Sequence, residues 1–441
     1  MMMSLSSNFG LLTVSIVIFA LTYAAILTEK IHRAVIALIG AGLMILSGVI
    51  TQQQAVAGID FNTIGLLTGM MVIVVLTQKS GVFQYVAVVA AKAVKADPWW
   101  LLVMFGIVTA VFSALLDNVT TVMLVTPVTL LITQGLRISP YPFLFTIIFA
   151  SNIGGTSTLI GDPPNIMIGS AAGLSFMDFL TNLAPIAIII LFTTLIPIYF
   201  IWGRKLQAAP DNRAQVMQIN ARETIQDARL LKQSLSILAL VIAGFTLSRE
   251  LHLEPATIAL FGAAILLLLR VWNMSGEEQS HQVQRTLSEL EWGTIFFFIG
   301  LFIVVTGIEH AGALKWLSDA MIDITQGNYR MTTLAILWVS AILSALVDNI
   351  PFVATMIPVI QNMAPVFGAE NLEPLWWALA LGACLGGNGT LIGASANLIV
   401  AGLADRADHP IHFLPFMRIA FPLMLLSIVL CHAYIYLRYL T

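Results

Sequence analysis

Two matched segments of the sequence place an aspartate and an asparagine side by side within long apolar stretches. Segments 113–128 and 344–359 agree at eight of sixteen positions, and both contain Asp-Asn, as Asp117-Asn118 and Asp348-Asn349. A carboxylate in the hydrocarbon region of a membrane is costly and usually marks a functional site. Carboxylate, amide and free backbone carbonyl oxygens together suit a hard cation. The simpler alternative is that these residues only cap the helix that follows them.

A second matched pair of segments is rich in glycine and in neutral oxygen groups. Gly-Gly-Thr-Ser-Thr-Leu-Ile-Gly-Asp-Pro-Pro-Asn at 154–165 corresponds to Gly-Gly-Asn-Gly-Thr-Leu-Ile-Gly-Ala-Ser-Ala-Asn at 386–397. Glycine lets the backbone leave a helix and approach a ligand closely, and proline is tolerated where a helix resumes. The segments therefore predict interrupted helices whose polar groups either bind an ion or cap helix ends. For Asp162 both roles stay open, because its counterpart Ala394 is uncharged.

Together the two pairs of segments give one set of candidate residues. No lysine or arginine lies in the middle of an apolar stretch. The carboxylates are therefore expected to lack basic partners, and to bind a cation or take up protons because desolvation disfavours their charge. No cofactor is expected beyond bound sodium, with Asp117, Asn118, Asp348 and Asn349 as its ligands. The full set of predicted substrate- or ion-binding residues is Asp117, Asn118, Thr120, Thr158, Gly161, Asp162, Asn165, Asp348, Asn349, Asn388, Gly389, Thr390 and Asn397.

Composition indicates the class of protein that carries these motifs. Of 441 residues, 59% are hydrophobic and only 10% are charged, whereas soluble domains contain about 25% charged residues. Apolar runs long enough to span a bilayer recur along the chain. Cys384 and Cys431 have neither a disulfide pattern nor a metal-ligand spacing. No nucleophile–base pair or metal triad is present, so we predict an all-α polytopic membrane protein that is not an enzyme.

The chain divides into two matching halves. Residues 1–203 and 234–441 form the predicted repeats, joined by a polar linker at 204–233. Each repeat contains an Asp-Asn hairpin, at 99–133 and 331–365, and an interrupted helix, at 142–173 and 375–404. Amphipathic pieces at 81–96 and 312–327 also correspond. Internal repeats of this extent predict a duplicated architecture.

Basic residues predict the orientation of the repeats. If each Asp-Asn tract is a re-entrant hairpin returning to its own side, sixteen of the twenty lysines and arginines lie on the side of the linker. Each half then contributes five crossings, about ten in all, plus one hairpin and one interrupted helix. Because five is odd, the second repeat is inverted, which is common in secondary transporters. We expect a cytoplasmic linker and both termini outside an inner or plasma membrane.

At these motifs the chain resembles the ion transporter superfamily, and within it the ArsB/NhaD family of arsenite permeases and sodium–proton antiporters. The likeness is strongest to the melanosomal P protein branch, through Leu116-Asp-Asn-Val-Thr-Thr121, Ile160-Gly-Asp-Pro-Pro-Asn165, Asp348-Asn-Ile-Pro-Phe352 and 382–397. The resemblance implies that Asn118 and Asn349 bind ions at the hairpin tips. It also implies a homodimer in which the hairpins and interrupted helices move as one body against a scaffold. Because Asp stands where related dicarboxylate symporters have Ser, a dicarboxylate substrate is not implied.

These observations predict a secondary active transporter, coupled to sodium or protons, that moves a small ion by an elevator motion. It would either exchange cations or use them to carry a small anion. Two alternatives remain at this stage: an arsenite or antimonite efflux permease, and an anion channel with the glycine segments as its filter. The expected partners are membrane lipid, a small inorganic or organic ion and a second copy of the chain, and not nucleic acid.

Overall fold

The computed structural model describes residues 2–28 and 30–441, and within these residues it is helical and contains no strand. The helices of the first half are α1 (Met2–Leu27), α2 (Arg33–Leu46), α3 (Gln52–Ala57), α4 (Phe61–Gln78), α5 (Val82–Ala93), α6 (Pro98–Leu115), α7 (Asn118–Leu136), α8 (Tyr141–Thr156), α9 (Pro163–Ala172), α10 (Phe176–Asn182) and α11 (Ala184–Ile201). Within the described residues, nine helices of the whole chain are long and apolar enough to cross a membrane.

Short helices connect the halves, and the second half repeats the order of the first. The connection contains α12 (Pro210–Gln218) between two 3-10 turns, Gly203–Lys205 and Ala221–Thr224. The helices that follow are α13 (Ala228–Thr246), α14 (Ser248–Leu251), α15 (Pro255–Val271), α16 (Gly276–Ser288), α17 (Trp292–His310), α18 (Ala313–Ile324), α19 (Tyr329–Leu346), α20 (Asn349–Gln361), α21 (Ala364–Phe367), α22 (Glu373–Gly386), α23 (Ser395–Arg406) and α24 (Phe413–Tyr439).

The first Asp-Asn tract folds back on itself. Helix α12 contacts both of its ends, because Arg213 donates to the carbonyl of Lys95 just before α6, at 3.0 Å, while Asn212 donates to the carbonyl of Leu136 at the end of α7, at 3.2 Å. One short helix can touch both ends only if the tract returns to the side where it began. The second tract returns likewise, since Tyr329 at the start of α19 stacks edge-on against Phe367 beyond α20. Both re-entrant hairpins are confirmed.

Both predicted interrupted helices are also confirmed. Helix α8 ends at Thr156 and α9 starts at Pro163, while α22 ends at Gly386 and α23 starts at Ser395. Each hairpin packs closely on the interrupted helix of its own half, α6 on α8 and α19 on α22. Each hairpin's second arm also reaches the opposite half, α7 on α23 and α20 on α9. This reciprocal exchange is what an inverted repeat requires.

The two hairpins and the two interrupted helices are together called the hairpin body, and a second group of helices packs beside it, with α4 on α9 and α17 on α20. Here α4 packs on α15 and α2 on α17, again exchanging partners between halves. Glycine makes both crossings close: a Cβ on Gly69 would lie 2.6 Å from the Ala259 carbonyl carbon, and one on Gly300 would lie 2.6 Å from that of Ala37. Only glycine permits such an approach, because these neighbouring atoms are backbone.

Some elements lie outside the predicted boundaries. Helix α13 begins at Ala228, within the predicted linker 204–233, because Asp227 caps it by accepting the N–H of Leu230 at 2.9 Å. Helix α16 was not predicted, since helices were assigned from apolar runs and α16 is polar. Its start does carry a sequence signal, the capping box formed by Ser275 and Glu278.

Candidate functional site

The tips of both hairpins meet the interrupted helices in one buried polar region. We call it the central polar cluster, and its side chains are each 3% exposed or less: Asn118, Asn152, Asp162, Asn165, Asn349, Cys384, Asn388 and Asn397. Six of these eight residues were predicted as site residues: five asparagines and the carboxylate Asp162. Within the described residues, Asp162 is the one charged side chain buried to this degree. The cluster is thus a nearly neutral, hydrogen-bonded network with a single carboxylate.

Asp162 is held by the tip of the opposite hairpin. The amide of Asn349 donates to both of its carboxylate oxygens, at 3.3 Å each, and the thiol of Cys384 also contacts it. Asp162 precedes Pro163 and Pro164 but makes no side-chain cap bond to α9. Its carboxylate therefore faces the cluster rather than its own helix terminus, which favours the binding role over the capping role that the sequence left open.

Asn152 connects the other residues of the cluster and was missed from the sequence. Its amide donates to Asn388 at 2.9 Å and to Asn397 at 3.0 Å, while its oxygen accepts from Asn118 at 3.2 Å. One side chain therefore joins the first hairpin tip to the second interrupted helix. Asn152 lies in an apolar helix two residues before Gly154, and its repeat counterpart is Cys384 rather than another amide. Comparison of the two halves therefore gave no signal for it.

Asn165 and Asn397 have equivalent places in the two halves. Each donates to carbonyls that the helix interruption leaves free: Asn165 to those of Gly155, Thr156 and Thr158, and Asn397 to those of Gly387 and Thr390. Their oxygens point the other way, toward Cys384 and Asn152 respectively. Both amides thus act as helix caps while presenting an oxygen to the cluster.

Thr158 and Thr390 fasten each hairpin to its interrupted helix. The Thr158 hydroxyl donates to the carbonyl of Ala114 at 2.6 Å, and the Thr390 hydroxyl donates to that of Ala345 at 2.5 Å. The Gly161 carbonyl accepts the N–H of Asn118 at 3.1 Å, which completes the same junction in the first half. Gly389 lies in the buried 3-10 turn Gly387–Gly389. These predicted residues position the hairpin tips.

The two tip aspartates are partly buried and have different partners. Both oxygens of Asp117 bond to Thr120, one to its N–H at 2.7 Å and the other to its hydroxyl at 2.6 Å. In the second half Pro351 occupies the position of Thr120, so that N–H and hydroxyl are missing. Asp348 instead accepts from the N–H of Ile350 and the hydroxyl of Ser395, at 3.0 and 2.6 Å.

The expectation that the tip carboxylates lack basic partners is wrong for Asp348. Arg33, the first residue of α2, pairs with its Oδ2 atom at 3.2 Å. The sequence placed Arg33 at a membrane boundary, outside any span. The structure shows that its long side chain reaches the hairpin tip from there, over the ring of Phe297. Asp117 and Asp348 both act electrostatically on Asp162.

Two buried atoms of the cluster lack any hydrogen-bond partner among the described residues. They are Oδ1 of Asn118, an acceptor, and Nδ2 of Asn388, a donor. Buried polar atoms are nearly always paired, so the orphaned acceptor of Asn118 suits a bound cation. The described residues contain no group of three or more His, Cys, Asp and Glu suited to a metal. Sodium ligation by carboxylate and amide oxygens would not require one.

Sequence comparison identifies a matching family and several related proteins. The CitMHS citrate transporter family matches residues 23–382. An uncharacterized transporter of Mycobacterium tuberculosis is 41% identical over 431 residues, which cover 97% of this chain and 98% of that protein. The P protein of Homo sapiens is 32% identical over 500 residues, which cover 94% of this chain and 58% of the P protein.

Two solved structures resemble the fold along most of its length. The YdaH transporter of Alcanivorax borkumensis matches with a TM-score of 0.57 and 14% identity, covering 86% of each chain. MtrF of Neisseria gonorrhoeae, described as one of a class of antimetabolite efflux pumps, matches with a TM-score of 0.59 and 9% identity, covering 98% of this chain and 95% of that one. At these identities the likeness concerns the fold alone.

Proposed function

The chain belongs to the CitMHS citrate transporter family, and on that premise we propose that it is a cation-coupled secondary active transporter. The family lies within the ion transporter superfamily, and its proteins are transporters rather than enzymes. The narrower placement among arsenite permeases and sodium–proton antiporters stays a prediction.

The proposal rests chiefly on Asp162. A fully buried carboxylate in a membrane protein needs a positive charge or a proton, and no lysine or arginine among the described residues lies within ion-pair distance of Asp162. The amide of Asn349 and the thiol of Cys384 contact it from the second half, and the first hairpin tip bonds to the adjacent carbonyl of Gly161 through the N–H of Asn118. We therefore assign the coupling cation, sodium or a proton, to Asp162, with Asn118 and Asn349 at the hairpin tips as its neighbours.

The packing supports an elevator motion. The hairpins and interrupted helices are bound to one another by the Thr158 and Thr390 junctions, and they would move as one body. The glycine-mediated pairs α4–α15 and α2–α17 would form the scaffold. Amphipathic helices α5 and α18 lie between these groups and would act as connecting arms. The predicted cytoplasmic linker, external termini and homodimer belong to this proposal.

For the cargo, the family description favours a small carboxylate-bearing anion such as citrate. The orphaned donor of Asn388 is a suitable partner for such a group. Arsenite is less well supported, because the cluster contains the single thiol of Cys384 and thiol ligation of arsenic usually involves more sulfur. A channel is also less well supported, since no side chain of the cluster is more than 3% exposed in this conformation.

A solute panel tests the proposal. Purified protein in proteoliposomes is offered citrate, succinate, arsenite and chloride under an imposed sodium gradient, an imposed pH gradient, or neither. We expect one of the anions to accumulate only with a cation gradient, and protein-free liposomes to accumulate none. Equal flux with and without both gradients would overturn coupling and favour a channel.

A further inference from the structure

The ion pair between Arg33 and Asp348 connects the proposed scaffold to the hairpin body. Arg33 begins α2, which packs on α17 in the scaffold, whereas Asp348 and Ser395 lie at the tips of the second hairpin and interrupted helix. The guanidinium donates to both, at 3.2 Å to Asp348 and at 2.5 Å to Ser395. A second nitrogen donates to Thr294 of α17 at 3.4 Å. The contact therefore crosses from scaffold to hairpin body.

The inverted repeat has no equivalent pair. Pro255 occupies the position of Arg33 in the other half, and Asp117 occupies that of Asp348. Among the described residues no basic group lies within ion-pair distance of Asp117, whose oxygens are both bonded to Thr120. Asp348 lacks the bonds to a threonine because Pro351 replaces Thr120, and its local bond is to the N–H of Ile350 alone. In this conformation Arg33 therefore supplies the positive charge that Asp348 would otherwise take from solution.

A small cation has room to reach the same place. A cavity of about 280 Å³ is lined by both members of the pair and by Ser395, and its other walls are mainly apolar side chains of α1, α23 and the loop before α2. The side chain of Arg33 is 26% exposed and that of Asp348 is 17% exposed, so both remain accessible to small solutes. Asn349, adjacent to Asp348, donates to Asp162, so the occupancy of one site can affect the other.

We propose that Arg33 is a tethered counter-ion that competes with a second cation for Asp348, a site separate from the one assigned to Asp162. The inference rests on the proposed function. Asp348 accepts its cation only when the hairpin body has moved away from the start of α2, and Arg33 returns to Asp348 when that cation has left. Arg33 is thus a coupling residue, since it prevents the second tip from carrying a cation in the conformation described here.

Currents from proteoliposomes on a solid-supported membrane test this competition, with jumps of sodium chloride at constant pH and jumps of pH without sodium. Pairing lowers the fraction of Asp348 free to bind, and if pairing is favoured tenfold the apparent affinity falls by about tenfold. We therefore expect Arg33→Gln to lower the half-saturating cation concentration by about tenfold, while Arg33→Lys stays near wild type. Phe297→Ala, which removes the ring beneath the guanidinium, should give a smaller shift in the same direction without a change of charge.

Two further variants show where the effect originates. Adding Asp348→Asn to Arg33→Gln should abolish the gain, because the vacated site is then gone. Arg249→Gln is the matched control, because Arg249 also forms an ion pair, with Asp178 at 2.6 Å. Neither of these two residues belongs to a hairpin tip. This variant should leave the half-saturating concentration unchanged. If the wild type responds to a cation but neither Arg33→Gln nor Phe297→Ala shifts the half-saturating concentration, the competition at Asp348 is overturned while the proposed function stands. If the wild type responds to neither cation, the proposed function fails with it.

Discussion

Asn152 forms hydrogen bonds to three other residues of the cluster. Its two donated bonds, to Asn388 and Asn397, and the one it accepts from Asn118 all lie in a region without exposed surface. Its bonds therefore join the first hairpin tip and the first interrupted helix to the second interrupted helix. A buried polar group deprived of its partner incurs its full desolvation cost, so the amides around Asn152 depend on it.

Replacing Asn152 by alanine should destabilise the protein strongly. Each buried amide left unpaired costs about 1–3 kcal/mol, and the change affects three of them. We expect a clear fall in the thermal unfolding temperature in detergent, together with loss of transport. Gln207→Ala, which truncates an exposed amide in the connection between halves, is the control and should unfold like wild type. An equal unfolding temperature for Asn152→Ala and wild type would mean that these hydrogen bonds contribute little.

The residue types of the cluster were largely predictable, but their connections were not. Duplicated motifs identified Asn118, Asn349, Asn165 and Asn397, because both halves preserve them. Residues that the two halves do not share were not predicted. Asn152 corresponds to Cys384 in the other repeat, and Arg33 corresponds to Pro255. Comparison of the two halves detects only the residues that the repeats share. Here the residues that differ between them, Asn152 and Arg33, make respectively the bonds that connect the cluster and the ion pair to Asp348.

Among the elements, the contact of each hairpin with its interrupted helix is set by glycine. A Cβ on Gly154 would lie 2.2 Å from the backbone oxygen of Ala110, and one on Gly386 would lie 2.5 Å from that of Ala341. Backbone atoms cannot move aside as a side chain can. The hairpin tips reach the cluster because these helices approach so closely.

Adding a methyl group at these glycines should therefore separate the hairpin from its support. We expect Gly154→Ala and Gly386→Ala each to reduce the yield of folded protein on size exclusion and to abolish flux. Gly402→Ala in α23 is the matched control, since no atom lies within 4 Å of its added Cβ, and a helical alanine there should be neutral or slightly stabilising. Wild-type behaviour of both cluster-side variants would contradict the close packing described.

Asp227, which caps α13 just before its candidate membrane span, offers a pH-dependent test. The N–H of Leu230 and, to a smaller extent, the guanidinium of Arg270 lower the pKa of Asp227 below its usual value. A lowered pKa in the folded state adds stability above the unfolded-state pKa of about 3.9, and that stability is lost as pH falls through the folded-state pKa.

Asp227→Asn keeps a capping side chain but removes its charge. At pH 7 we expect the variant to be less stable than wild type by up to about 1 kcal/mol, as for a charge at a helix terminus. The difference should shrink as the pH falls below the unfolded-state pKa of about 3.9, because the unfolded chain then takes up a proton that the folded wild type resists. Thermal unfolding from pH 7 to pH 3 measures this. A difference that persists unchanged at pH 3 would show that the charge is not its source.

On the scale of the whole molecule, two inverted repeats exchange partners to build one site. The hairpins, interrupted helices and inverted order followed from the sequence because hydrophobic runs, glycine segments and the distribution of basic residues each constrain the backbone. The polar helix α16 and the early start of α13 did not, because neither is marked by apolar length. The electrostatic arrangement was the hardest to predict: the sequence offered three carboxylates, and only the packing shows that one is fully buried and another is paired with arginine.

The central claim is that Asp162 holds the coupling cation. It is tested by gradient-driven uptake of the transported anion into proteoliposomes containing Asp162→Asn, beside wild type and Asp117→Asn. We expect Asp162→Asn to lose accumulation against a concentration gradient while remaining folded on size exclusion, because asparagine nearly matches aspartate in shape but carries no charge. Asp117→Asn, altered at a helix cap, should retain most of its accumulation. Accumulation by Asp162→Asn at the wild-type level under the same sodium or pH gradient would contradict the account.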